Sequence, residues 1–134
     1  MSSATVALSS DVLVRQWVDA FNARDLAGML ARLDPEVRLH PLRLRGLDGL
    51  YRGRDGVQRW FARLTQLRHE HVIVLSDVHG WQDDQVLAVG SLRLVGNFEI
   101  APFCALYRIA GGLIAAAHHC LSDPAMLEHL GLIP

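Results

Sequence analysis

The chain has 134 residues, 51% of them apolar, and a formal net charge of -1. Those totals fit one domain spanning residues 1–134 around a single core, and they exclude a disordered chain. Acids and bases are interspersed, so no basic block is available for nucleic acid.

Residues 1–10 contain no Lys or Arg and no apolar run of signal-peptide length. No stretch approaches the ~20 apolar residues that span a bilayer. A soluble cytoplasmic protein without nucleic-acid or membrane partners is therefore expected. The first helix is predicted over Asp11 to Ala23, with Val14, Trp17, Val18 and Phe21 at helical spacing. Ser9 or Ser10 can cap it, and Asp11 suits its positive first turn. Asp25 can cap a second helix running through Leu33, with Leu26, Met29, Leu30 and Leu33 as its apolar face. Asp34-Pro35 should end it.

A short strand, Val37 to Pro41, follows. Residues 43–54 read as a Gly- and Arg-rich loop with an extended piece near Leu50-Tyr51. Asp55 is placed to cap a third helix, Gly56 to Leu67, that buries Val57, Trp60, Phe61 and Leu64. Beyond His69 the pattern turns to strands: Val72 to Val78, Gln85 to Val95, Phe98 to Ile109 and Leu113 to Leu121. Trp81-Gln82-Asp83-Asp84, Gly96-Asn97 and Gly111-Gly112 are the turns. Short connections imply an antiparallel meander. Helices first and strands afterwards imply an α+β domain, with helices on one face of a curved sheet. Asp123 should cap a short helix over Pro124 to Leu130.

Three stretches carry a family resemblance. They are Trp17-Val18-Asp19-Ala20-Phe21-Asn22-Ala23-Arg24-Asp25-Leu26, Asp34-Pro35-Glu36-Val37-Arg38-Leu39-His40-Pro41, and Tyr51-Arg52-Gly53-Arg54-Asp55-Gly56-Val57. With them the chain resembles, from about Val12 to Asp123, the nuclear transport factor two-like superfamily and within it the ketosteroid isomerase and SnoaL-like polyketide cyclase branch. The resemblance implies a cone-shaped, curved mixed sheet wrapped over three N-terminal helices and enclosing an apolar pocket. It does not imply one reaction, because one fold hosts many functions.

Carried over residue by residue, the isomerase's groups are replaced here. Its base before a proline becomes His40, its oxyanion tyrosine becomes Trp17, and the aspartate of its Ala-Pro-x-Asp run becomes Cys104. A thiol donates poorly, so steroid isomerisation through that oxyanion hole is not expected. The resemblance places His40 and His119 inward as a catalytic pair. A one-residue slip would turn His118 inward instead. The same alternation points Ile100, Pro102, Cys104 and Leu106 inward on one strand, Ala88, Gly90 and Leu92 on another, and Ala117 and Leu121 beside His119. Trp17, Phe21, Phe61 and Leu64 line the pocket from the helices, and Tyr51 stands at its mouth.

Each of these has a plainer reading. His40 can be bonded to backbone, Trp17 can be a wall of the core, Tyr51 a surface aromatic, and Cys104 a small hydrophobe. His69-Glu70-His71 lacks further metal ligands, so no metal or organic cofactor is expected. Cys104 and Cys120 are expected on opposite faces and reduced.

Three functions fit. The first is a cofactor-independent isomerase, cyclase or dehydratase of a polyketide- or terpenoid-like molecule, using histidine acid/base catalysis. The second is a non-catalytic small-ligand-binding domain. The third is a scaffold whose cavity is filled by Trp17, Phe21, Trp60 and Phe61. A homodimer is expected through the outer sheet face, with Val89, Ser91, Phe103 and Ala105 covered.

Overall fold

The computed structural model describes residues 3–40, 50–66, 70–80, 84–94 and 98–120. The elements are α1 (Ser3–Asn22), α2 (Leu26–Ala31), β1 (Leu33–His40), β2 (Tyr51–Arg52), α3 (Gly53–Leu64), β3 (His71–Gly80), β4 (Gln85–Leu94), β5 (Phe98–Ala110) and β6 (Leu113–Cys120). The expected helix over Pro124 to Leu130 and its Asp123 cap lie outside the described residues.

Helix α1 buries Val14, Trp17, Val18 and Phe21 along the stripe that their spacing predicts. It starts at Ser3, not Asp11, so Ser9 and Ser10 lie inside it and not at its N-terminus. The Asp11 carboxylate instead meets Arg15 one turn on, at 3.3 Å. Asp25 caps α2 as expected, accepting from the Gly28 amide at 3.0 Å.

That helix stops at Ala31, and Leu33 already belongs to β1, which runs straight through Pro35. A proline cannot donate to a ladder, and β1 pairs irregularly with β6 where Pro35 lies, between Leu33 and Arg38. Helix α3 begins at Gly53 (φ +70°), with Arg52 as its N-cap. Asp55 therefore sits in the first turn, where its charge suits the helix dipole, and is not the cap.

The six strands form one curved, open sheet in the order β2-β1-β6-β5-β4-β3. Strands β3 to β6 make the expected antiparallel meander. Strand β1 inserts beside β6 in parallel, so the sheet is mixed. Gly111 and Gly112 both take positive φ (+60° and +76°), as a tight two-residue hairpin between β5 and β6 requires.

One face of the sheet packs on the helices. Leu33, Val37, Leu39, Ile73, Val86, Ala88, Leu92, Phe103, Ala105, Tyr107, Ile114 and Ala117 join the helical residues in one core.

The free edge of β3 is covered in part by the end of α1. The Asn22 side chain donates to the Ile73 carbonyl and accepts from the Ile73 amide, both at 2.8 Å. Arg24, in the left-handed region (φ +57°) just past the helix, lies 4.8 Å over the Phe21 ring and donates to the His71 carbonyl at 2.6 Å. Among the described residues, no helix is long and apolar enough to cross a membrane.

Candidate active site

His119 is the hub of the helix-facing side of the sheet. It is 5% exposed and sits among four aromatic rings. Trp17 comes from α1, Trp60 from α3, and Phe103 and Tyr107 from β5, with ring centroids 5.5, 6.5, 5.7 and 5.8 Å from the imidazole. Spacing explains the helical part of this cage. Trp17 and Phe21 are four residues apart on one stripe and stack at 6.1 Å, and Phe21 stacks on Trp60 at 5.8 Å.

The register explains the strand part. His119 lies directly opposite Ala105, so Phe103 and Tyr107, two residues to either side of Ala105, flank the imidazole on the same face.

Two polar features stand out in this apolar setting. The Tyr107 hydroxyl lies 3.3 Å from His119 Nε2. The Trp17 indole nitrogen is buried with no hydrogen-bond partner among the described residues. Burial, helped by the neighbouring His118 charge, pushes the His119 pKa down from 6.5 to about 3. Burial pushes the Tyr107 phenol well above its usual 10. Both groups are therefore neutral at pH 7. If Nε2–H donates to the Tyr107 oxygen, the other imidazole nitrogen keeps its lone pair and can accept a proton, so the phenol selects the tautomer.

The structure separates His40 from His119, which corrects the expected pair. In β1, Val37 and Leu39 are buried while Glu36, Arg38 and His40 are exposed. His40 therefore points to the outer face, where it lies opposite His118 and stacks on it at 5.0 Å. Burial, with a contribution from His40, lowers the His118 pKa. The alternative of His118 inward is not the one adopted.

Strand β5 is also turned over relative to expectation. Phe103, Ala105 and Tyr107 face the helices, while Pro102, Cys104 and Leu106 face outward opposite Ser91, Val89 and Leu87. Cys104 is buried but does not reach the cage, and Leu106 is half-buried on the outer side. Two of the four residues expected on a dimer face, Phe103 and Ala105, are thereby inside, while Val89 and Ser91 lie on the outer face. Cys104 and Cys120 are direct register partners on β5 and β6.

Tyr51 is not at a pocket mouth. It is 9% exposed, belongs to β2 and packs in the core opposite Leu39. Leu64 and Leu92 are buried in that core, and Phe61 is packed partly against it. His69 lies outside the described residues, and among the described residues no group of three or more His, Cys, Asp or Glu side chains could hold a metal.

Tyr107 is the site residue that the sequence reading missed. Its signal was present: Arg108 shares its parity with Cys104, and an arginine on the apolar face would be costly.

The model of the SnoaL-like domain matches residues 14–117. Solved structures add likeness of shape. One is a Kribbella flavida protein provisionally named a ketosteroid isomerase (17% identity, TM-score 0.69, covering 92% of this chain and 88% of that one). Another is a Xanthomonas campestris protein provisionally named a polyketide cyclase (17% identity, TM-score 0.70, covering 96% and 98%). A third is TerC co-crystallised with polyporic acid (18% identity, TM-score 0.71, covering 88% and 94%). At such identities the likeness establishes the fold alone. None of the curated proteins matches the chain.

Proposed function

We propose, for a chain that belongs to the SnoaL-like domain family, that it binds a small apolar molecule bearing a carbonyl beneath the sheet and rearranges it by proton transfer. The observation that carries this reading is the partnerless, buried Trp17 N–H beside a buried, neutral His119. A buried donor without an acceptor costs roughly 1–3 kcal/mol, a cost that a ligand oxygen would remove. In this reading Trp17 holds the carbonyl oxygen and His119 moves a proton between the adjacent carbon and that oxygen. Tyr107 fixes the imidazole tautomer. Burial makes an isolated imidazolium costly, but an enolate oxygen formed in the same step would stabilise it. The product class is that of an isomerase or cyclase, and this chemistry needs no metal or organic cofactor.

The depressed basicity of His119 favours a second reading, in which the same cage holds a ligand without transforming it. Deuterium exchange at the α-carbons of 2-tetralone, followed by NMR in D2O, separates the two. A proton-transfer site should accelerate exchange about 10²–10⁴-fold over the His119→Gln variant. Binding without accelerated exchange assigns the second reading, and absence of binding by this ketone and by other bicyclic carbonyl compounds overturns both.

A further inference from the structure

The outer face of the sheet carries a row of cations set by strand register. Arg52 on β2 lies opposite Arg38 on β1, Arg38 lies opposite Ala116 on β6, and Ala116 lies opposite Arg108 on β5. All three arginines are exposed, in a chain whose net charge is only -1. Directly opposed residues on antiparallel strands hold their Cβ atoms about 4.5–5.5 Å apart, and like charges there repel. Among the described residues, neither Arg38 nor Arg52 forms an ion pair.

A groove of about 300 Å³ opens against this arginine pair, lined by Pro35, Glu36, Arg38, Arg52 and Gly53. A Cβ on Gly53 would come within 3.3 Å of the carbonyl of Pro35, which also lines the groove. Arg54 takes no part, because its guanidinium is committed to the Leu33 carbonyl at 2.8 and 3.2 Å.

We propose that this groove binds a phosphate monoester dianion between Arg38 and Arg52. A guanidinium presents a flat fork of donors, and one fork saturates a carboxylate. Two forks carried by directly opposed residues, both lining one groove, suit a group with three free oxygens and two negative charges. Glu36 opposes any anion in the groove and sets a modest affinity. This site lies on the opposite side of the sheet from His119 and stands independently of the function proposed for the cage.

The test is titration of the full chain with methyl phosphate, inorganic phosphate and acetate at constant ionic strength, read by calorimetry and by the arginine Nε–H resonances. Methyl phosphate should bind saturably and at least about tenfold more tightly than acetate. Either Arg38→Gln or Arg52→Gln should weaken it at least about tenfold, and Glu36→Gln should tighten it about threefold or more. Arg59→Gln removes the same charge from an exposed position on α3 outside the groove and should change affinity less than about twofold. The proposal is overturned by no saturation at about 10 mM ligand, by equal binding of acetate, by exclusion of methyl phosphate while inorganic phosphate binds, or by an Arg59→Gln effect as large as that of Arg38→Gln.

Discussion

His119 should make this protein acid-sensitive in a way that one substitution removes. In the unfolded chain the imidazole protonates near 6.5, while in the folded chain burial holds protonation off until about 3. Between those values the unfolded state binds a proton that the folded state refuses. Acid therefore favours unfolding, and the stability present above pH 6.5 is lost as pH falls. Each pH unit well inside that window costs about 1.4 kcal/mol, so lowering the pH from 6.5 to 4.5 removes roughly 2–3 kcal/mol through this one side chain.

His119→Gln keeps an amide that can bond the Tyr107 hydroxyl but cannot titrate. Urea unfolding of both proteins at pH 7 and pH 4.5 isolates the effect, since every other titrating group is common to the two. The parent should lose roughly 2–3 kcal/mol more than the variant. Equal losses would mean that His119 takes up its proton in the folded state. The imidazole would then not be held neutral by burial, and the reasoning from burial to neutrality would be wrong.

Trp17→Phe should retain the stacking on Phe21 while removing the partnerless N–H, so the parent should prefer 2-tetralone over tetralin by about tenfold and the variant should show no preference in competition binding. Asn22→Leu deletes both bonds to the Ile73 backbone and should cost about 2–3 kcal/mol, read as a lower urea midpoint. Gly90→Ala places a Cβ against the Val74 carbonyl and 2.9 Å from Leu75 Cα, backbone that can yield only by parting β3 from β4. It should cost more than about 2 kcal/mol, with loss of amide-exchange protection in β3 before the other strands.

The order of elements was legible because it rests on local signals. Helical stripes, turn glycines and runs of strand-forming residues all act within a few positions. The face of each strand was legible only where its own alternation was heeded. In β1, Val37 and Leu39 are apolar while Glu36 and Arg38 share parity with His40, so the strand's own pattern sends His40 outward. In β5, Arg108 shares parity with Cys104 and Leu106, and the larger apolar set is Phe103, Tyr107 and Ile109. Both reversals arose where a position carried over from a related family was preferred to the pleat. On β4 and β6, where Ala88, Leu92, Ala117 and His119 were read as inward, pattern and family agree with the structure. The Tyr107–His119 contact joins residues on two strands, and the vacant Trp17 donor is a property of packing. Neither has a signature in local sequence.

The amide of Asn22 has a meaning beyond the strength of its two bonds. A sheet edge is a template, and any extended segment that meets it can lengthen it by one strand, then by another. At Ile73 the seat for such a visitor is already taken by a side chain that imitates a peptide group, and at His71 by the Arg24 guanidinium. Farther along the same edge, the register break between Leu75 and Asp77 and the Asp77–His79 pair offer a poor surface for continued growth. The last turn of a helix thus serves as a counterfeit seventh strand, one that finishes the sheet because it has no second edge of its own to offer.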